Sequence, residues 1–193
     1  MISWKEHRQE YLDACLGLDG RGRFSHDCAE CQIPHATYRC RDCFGNRLYC
    51  LPCLLKQHRN HPLHRIEVWN DCKVYFQATS LSEVGLHIQL GHGGFPCEFQ
   101  IRGDKDFIVI DTNGIHQINI SFCGCIKAPH PRQQLLEVGW WPSTPRDPQT
   151  AATMNVLRTF HILNLQGQIA PTDFYRGLEQ LMCANGLSTI PVS

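Results

Sequence analysis

Three pairs of cysteines, each with two residues between its members, lie within residues 28–53 and are followed by three histidines. They are Cys28/Cys31, Cys40/Cys43 and Cys50/Cys53, then His58, His61 and His64. Two cysteines at this spacing form a tight turn that points both thiolates at one metal ion. Residues 25–67 contain little continuous apolar sequence, so they cannot build an ordinary hydrophobic core. This stretch is therefore expected to fold around bound metal.

The short connections between the half-sites favour an interleaved arrangement of two metal sites over a sequential one. The connecting loops contain eight, six and four residues. The interleaved prediction for the first site is Cys28, Cys31, Cys50 and Cys53. The prediction for the second is Cys40, Cys43, His58 and one further histidine, either His61 or His64. Zinc suits the mixed sulfur and nitrogen ligands of the second site, while an iron–sulfur cluster remains an alternative at the four-cysteine site.

A third, looser set of metal-binding residues follows further along the chain. It consists of His92, Cys97, Cys123 and Cys125. If a hairpin folds back between Cys97 and Cys123, these residues meet at its base as a third zinc site. The alternative is that these cysteines are buried thiols beside a surface histidine, and His87 or His116 could replace His92. The isolated cysteines are interpreted as ordinary buried residues: Cys15, Cys72 and Cys183.

Residues 84–125 have the pattern of β structure, with an apolar run at 84–90 and two further runs at 107–111 and 115–122. Asn113-Gly114 stands between the last two runs. Asn-Gly in this position indicates a hairpin, because both loop residues of the favoured turn need positive φ. With these residues as the loop, one face of the hairpin is apolar. The predicted pairs are Thr112 with Ile115, Asp111 with His116, Val109 with Ile118, and Phe107 with Ile120.

Helices are predicted at both ends of the chain. Apolar residues at helical spacing indicate a short helix from Trp4 to Leu16. Near the other end, Asp147-Pro148 predicts the start of a helix that runs to Gly167. A second helix is predicted from a cap at Thr172 to a stop at Gly186.

These patterns predict an α+β fold with four regions. A small cross-braced zinc module precedes a zinc-clipped antiparallel β region, and helices follow at the C-terminal end. The predicted regions are an N-terminal segment (1–24), a two-zinc module (25–70), a β-hairpin-containing cysteine-cluster region (71–130), and a Pro/Trp connector with helices (131–193).

Charge and composition narrow the classes of function. The formal net charge is zero, so the whole chain does not attract a phosphate backbone strongly. Residues 28–67 contain six Lys and Arg against three Asp and Glu, so a local basic patch is possible there. The chain has no signal-peptide pattern and no stretch that could span a bilayer, which predicts a soluble, intracellular protein without a membrane partner.

The predicted metal sites also argue against catalysis. A catalytic zinc keeps an open coordination position for water or substrate, whereas each predicted set already contains four protein ligands. We therefore expect no enzymatic activity and no small-molecule substrate. Cys53 and His58 could be imagined as a nucleophile and its base, but Cys53 is better used as a ligand.

An ordered series of motifs resembles the CxC-type cysteine-cluster domain associated with KDZ transposases of fungi. The resemblance covers residues 28 to about 185. Its motifs are Cys28-Ala-Glu-Cys31, Tyr38-Arg-Cys-Arg-Asp-Cys43, Leu48-Tyr-Cys50, Pro62-Leu-His-Arg-Ile-Glu-Val-Trp69, Gly91-His92, Asn113-Gly-Ile-His116, Phe122-Cys-Gly-Cys125, Gly139-Trp-Trp-Pro142 and Thr150-Ala-Ala-Thr-Met-Asn-Val-Leu157.

This resemblance implies a nuclear zinc-cluster region that accompanies the catalytic part of a transposase and aids recognition of DNA or of a protein partner. It favours His64 over His61 as the fourth ligand of the second site. The chain is short for the family, so a truncated copy or a fragment is expected. The interleaved arrangement of the two predicted metal sites is also similar to the B-box of tripartite-motif proteins. This similarity implies a protein-interaction module as the alternative function.

Overall fold

A computed structural model of the chain describes residues 3–21, 26–93 and 95–183. The chain divides into two units, the first formed by residues 1–58 and 64–79 and the second by residues 59–63 and 80–193. The structure has mixed α+β architecture with three small sheets and C-terminal helices, which confirms the predicted fold class. Among the described residues, no helix has the length and apolar character needed to cross a membrane. The predicted division into four regions remains a prediction.

The first unit combines short helices with one antiparallel sheet. Its helices are α1 (Ser3–Glu6), α2 (Arg8–Asp19) and α3 (Leu51–His58), and its strands are β1 (Tyr38–Cys40), β2 (Ile66–Asn70) and β3 (Tyr75–Thr79). The strand order is β1-β2-β3, with Arg39 opposite Glu67. The predicted N-terminal helix is present but continues through Gly17 and ends before Gly20. Among the described residues of this unit, few large apolar side chains are buried, and they include Leu48, Leu54, Ile66 and Phe76.

The described residues of the second unit form two small sheets and three helices. Its strands are β4 (His87–Gln89), β5 (Gln100–Arg102), β6 (Ile108–Asp111), β7 (Gly114–Gln117), β8 (Asn119–Cys123), β9 (Trp140–Pro142) and β10 (Thr150–Thr153). One sheet has the order β4-β8-β5 and the other β7-β6-β10-β9. Pairing is mixed, because β4 with β8 and β6 with β10 are parallel while the other neighbours are antiparallel. The helices are α4 (Pro131–Glu137), α5 (Met154–Gly167) and α6 (Pro171–Cys183).

The predicted hairpin exists between β6 and β7, but its predicted register is wrong by two residues. The structure pairs Asp111 with Gly114 and Val109 with His116, so Thr112 and Asn113 form the loop. Neither loop residue has positive φ. The Asn113 amide instead donates to the Leu63 carbonyl oxygen at 2.9 Å, and its Oδ1 lies 2.8 Å from His116 Nε2. Tertiary hydrogen bonds of Asn113 therefore override the turn preference of Asn-Gly.

The second predicted strand, 115–122, is divided at Ile118 between the two sheets of this unit. Ile118 donates its backbone N–H to the Phe107 carbonyl oxygen at 2.9 Å. Strand β6 is central in its sheet, and the predicted apolar face is present; the opposite face, which was not predicted to be apolar, is buried as well. One face packs into a core with Val109, Ile118 and Ile120, and the other packs Ile108 against Ile115, Val156 and Leu178.

The helix predicted from Asp147 begins seven residues later, at Met154. Asp147 has φ 42°, and residues 150–153 form β10 beside β6. The N-cap is Thr153, whose Oγ1 accepts the Val156 N–H at 3.1 Å. The predicted end at Gly167 is confirmed. The next helix starts at Pro171, and its predicted stop at Gly186 lies outside the described residues.

Candidate metal centres

The first group joins two cysteine pairs of the first unit. The structure brings together Cys28, Cys31, Cys50 and Cys53, whose sulfur atoms all lie within 4.8 Å of one another. Cys28 and Cys31 lie in a turn, while Cys50 directly precedes α3 and Cys53 lies in its first turn. Burial raises the pKa of the Cys28 thiol, but hydrogen bonds from the backbone of Cys31 and Cys50 outweigh it and lower the pKa to about 6. The turn therefore stabilises a thiolate.

The second group is also in the first unit, and its residue pairs alternate with those of the first group along the chain. It consists of Cys40, Cys43, His58 and His64. Cys43 Sγ lies 3.5 Å from His58 Nε2 and 3.4 Å from His64 Nδ1. His58 Nδ1 lies 2.9 Å from the Leu54 carbonyl oxygen within α3, so Nδ1 carries the proton and the lone pair of Nε2 is directed at the site. His64, not His61, completes the group, as the family resemblance favours.

The third group lies in the second unit. It contains His92, Cys97, Cys123 and Cys125. His92 Nε2 is 3.0 Å from Cys123 Sγ, and Cys97 Sγ is 3.7 Å from the sulfur atoms of Cys123 and Cys125. The histidines considered as substitutes for His92 lie elsewhere: His87 contacts Ser121 Oγ at 2.8 Å and His116 contacts Asn113.

The ligand-atom distances of the first two groups fit a tetrahedral metal ion. An ion with metal–sulfur bonds of about 2.3 Å and metal–nitrogen bonds of about 2.0–2.1 Å separates its ligands by about 3.4–3.8 Å. The cysteine and histidine atoms of the first two groups are 3.4–3.6 Å apart at their measured contacts. Disulfide sulfur atoms would be separated by about 2.05 Å, so the closest sulfur pairs, at 3.6–3.7 Å, are not disulfides. Each of the three groups could bind a metal ion.

Crowding of the thiols supplies an electrostatic reason for a cation. A hydrogen bond with Cys50 raises the pKa of Cys53 to about 12, and one with Cys123 raises the pKa of Cys125 to about 11. Burial raises the pKa of Cys40 to about 12. Several thiolates cannot share such a small space without a positive charge between them. A divalent ion at each centre would remove that repulsion.

Gln134 on α4 supports the third group, and nothing in the spacing of the sequence points to it. The buried Gln134 side chain accepts the Cys123 N–H at 2.8 Å and donates to the carbonyl oxygens of Cys123 and Pro129 at 2.9 and 2.8 Å. Gly91, with φ +89°, leaves space for the contact between Gln134 and Cys123, because a Cβ at position 91 would lie 2.5 Å from Cys123 Cβ. Gln134 therefore fixes the backbone of one ligand residue.

Replacement of Gln134 by leucine should weaken metal binding at the third group by about 10–100-fold, because it removes the two hydrogen bonds that orient Cys123 and a third that ties Gln134 to Pro129. The two groups of the first unit should retain their affinity for the metal ion. Competition against a chromophoric chelator measures the three affinities. The control is Gln133→Leu, at the neighbouring exposed position. Equal metal affinities of the third group in the two variants would contradict the proposed support of Cys123 by Gln134.

Two of the isolated cysteines were predicted to be buried, and that prediction was wrong. Cys15 and Cys72 are both exposed. Cys15 lies on α2, which buries none of its residues, and Cys72 lies in the turn between β2 and β3. The side chain of Cys183 lies outside the described part of the chain.

Comparison with known proteins identifies a family for the second unit. A family model described as a CxC2-like cysteine cluster associated with KDZ transposases matches residues 81–186, more than half of the 193 residues. The match includes all four residues of the third group and begins after the first two groups, and no catalytic domain was matched. No curated protein and no solved structure matches the chain. The chain therefore belongs to the family of CxC2-like cysteine clusters associated with KDZ transposases.

Proposed function

We propose that this chain is a zinc-binding, non-catalytic accessory module of a KDZ-type transposase-derived protein and that it serves recognition of DNA or of a protein partner. One observation carries the proposal. Each of the three groups already contains four ligand atoms within 4.8 Å of one another. A zinc ion held by four protein ligands has no open position for water or substrate, which is the arrangement of structural sites. A nuclear location is part of the proposal, because the transposase that such a module accompanies acts on DNA.

Zinc is the metal that these ligands fit best. Two of the three groups contain histidine together with cysteine. Tetrahedral sites of sulfur and nitrogen are typical of zinc, whereas iron–sulfur clusters are mostly held by cysteine alone. The residues of the chain would hold the ion and exclude water from it, and the ion would supply charge compensation for the thiolates.

The distribution of ion pairs favours a protein partner, as in the B-box-like alternative. Three of the six basic side chains in residues 28–67 bind buried or half-buried carboxylates: Arg39 and Arg41 contact Glu67, and Arg65 contacts Asp42. Lys56 pairs with Glu30. Among the described residues of this stretch, only Arg47 and Arg59 are basic and outside such an ion pair. Neutralisation of phosphates needs a larger basic surface than this.

Native mass spectrometry with and without a chelator tests the metal part of the proposal. We expect three zinc ions per chain and loss of folded structure in the first unit when they are removed. A folded chain with no bound metal would refute it. An iron–sulfur cluster would show itself by its mass and visible absorption.

Fluorescence anisotropy with duplex DNA tests the recognition part. A protein-recognition module should show no salt-dependent binding even at low salt. Binding that falls steeply with salt and weakens in the double variant Arg47→Gln/Arg59→Gln would instead establish DNA as the partner. The variant Lys105→Gln, at an exposed position of the second unit, is the matched control.

A further inference from the structure

Strand β5 of the second unit is an uncovered edge. It is the outer strand of the sheet β4-β8-β5 and pairs only with β8 among the described residues. All three of its residues are exposed, as are the two that precede it. Phe99 and Ile101 leave 65% and 51% of their surface in solvent. An edge with exposed apolar side chains is a template for pairing with another strand.

The hydrogen bonds to β8 show which backbone groups of this edge are directed outward. Gly124 donates to the Phe99 carbonyl oxygen at 2.7 Å, and Gly103 donates to that of Ile120 at 2.9 Å. In an antiparallel pair, such bonds alternate from one residue to the next. The backbone groups of Phe99, Ile101 and Gly103 therefore face β8. Those of Gln100 and Arg102 face away from it.

We propose that a second copy of this chain pairs with β5, strand to antiparallel strand, about a two-fold axis through Ile101. Gln100 then exchanges backbone hydrogen bonds with Arg102 of the second copy, and Arg102 does the same with Gln100. Ile101 lies opposite Ile101 in a non-hydrogen-bonded pair, where side chains approach closest. Two three-stranded sheets become one sheet of six strands.

The side chains of the edge suit this register. Phe99 lies opposite Gly103 of the second copy, which has no side chain, so the aromatic ring can cover the glycine. Gly103 must be glycine, because a Cβ there would lie 2.5 Å from Ile120 Cγ2. Arg102 lies opposite the uncharged Gln100, so no two like charges are directly paired within β5.

The apolar surface available indicates a weak, reversible dimer. Phe95 and Ile126 are also largely exposed, and they lie next to the third group near the same end of the sheet. Together with Phe99 and Ile101 they offer on the order of 500 Å² per copy, at about 150–250 Å² for a whole aromatic side chain. A standard interface buries about 800 Å² per partner, so the dissociation constant should be weaker than about 1 μM. Self-association does not depend on the identity of the metal or on DNA binding.

Sedimentation velocity on the zinc-loaded full chain, from low to high micromolar concentration, tests the proposal. We expect a monomer–dimer equilibrium that Ile101→Lys weakens more than about tenfold, because two lysines would face each other on the axis. Ile162 on α5 is 59% exposed, and Ile162→Lys serves as the matched control that leaves the equilibrium unchanged. A wild-type chain that stays monomeric, or an Ile101→Lys variant that dimerises normally, would overturn it.

Amide exchange of the wild-type chain gives a second readout that needs no variant. The Arg102 amide should exchange more slowly as protein concentration rises, because it becomes hydrogen-bonded only in the dimer. The Gly103 amide, which already donates to Ile120, should change little. Protection of Arg102 that is independent of concentration, or that arises only when a different protein is added, refutes pairing with a second copy.

Discussion

Replacement of Cys50 by serine should unfold the first unit, release both of its metal ions and leave helices α5 and α6 of the second unit formed. Cys50 belongs to the first group, and the residues of the second group alternate with those of the first along the chain. Structural zinc contributes about 10–16 kcal/mol of apparent binding free energy to small modules of this kind. The few buried apolar residues of the first unit cannot replace that contribution. Helices α5 and α6 are held instead by Val156 and Leu178, which pack on β6 and β7.

Native mass spectrometry and amide exchange measure this outcome. The spectrum of Cys50→Ser should show one metal ion where the wild type shows three, and amides of β1, β2 and α3 should lose protection. Cys72→Ser is the matched control, since Cys72 is exposed in the same unit and belongs to none of the three groups. Loss of protection in α5 and α6 as well would show that the two units do not fold separately.

Replacement of Glu67 by glutamine should lower the free energy of unfolding of the first unit by about 3–5 kcal/mol at fixed free zinc concentration. Glu67 lies opposite Arg39 across β1 and β2, and their side chains meet at 2.6 Å in a buried position. Arg39 also stacks over the Phe76 ring at 3.7 Å, so its guanidinium cannot move to solvent without loss of packing. The substitution leaves a buried positive charge without its carboxylate.

Urea unfolding followed by tryptophan fluorescence and circular dichroism measures this loss. The control is Glu30→Gln, because the Glu30–Lys56 pair lies at the surface and is worth at most about 1 kcal/mol. The double variant Arg39→Met/Glu67→Leu should recover most of the stability, since it removes both buried charges. A Glu67→Gln variant as stable as Glu30→Gln would show that the buried pair is not needed.

The grouping of the metal-binding residues could be predicted because it depends on local spacing. Each Cys-x-x-Cys turn fixes two ligands by itself, and short loops restrict how the turns can combine. The histidine of the second group could not be chosen from spacing, since His61 and His64 both reach far enough. The mixed fold class also followed from local patterns of apolar residues and turns.

Features that depend on distant residues could not be predicted. Asn113 forms hydrogen bonds with Leu63 and His116, and these set the loop of the hairpin against the preference of Asn-Gly. The residues before Thr153 pair in parallel with β6 and form β10. Helix α5 therefore begins later in the chain than predicted. Gln134 supports Cys123 from another element, eleven residues further along the chain. No periodicity of the sequence carries this information.

The residues of the first two groups alternate along the chain, so the ribosome does not release either group complete before the other begins. The ribosome releases Cys28, Cys31, Cys40 and Cys43 first, which are half of one native group and half of the other. These four thiols make up a complete but incorrect tetrahedral ligand set before either correct set exists. A zinc ion bound to that incorrect set has to exchange Cys40 and Cys43 for Cys50 and Cys53 before the first native group can form.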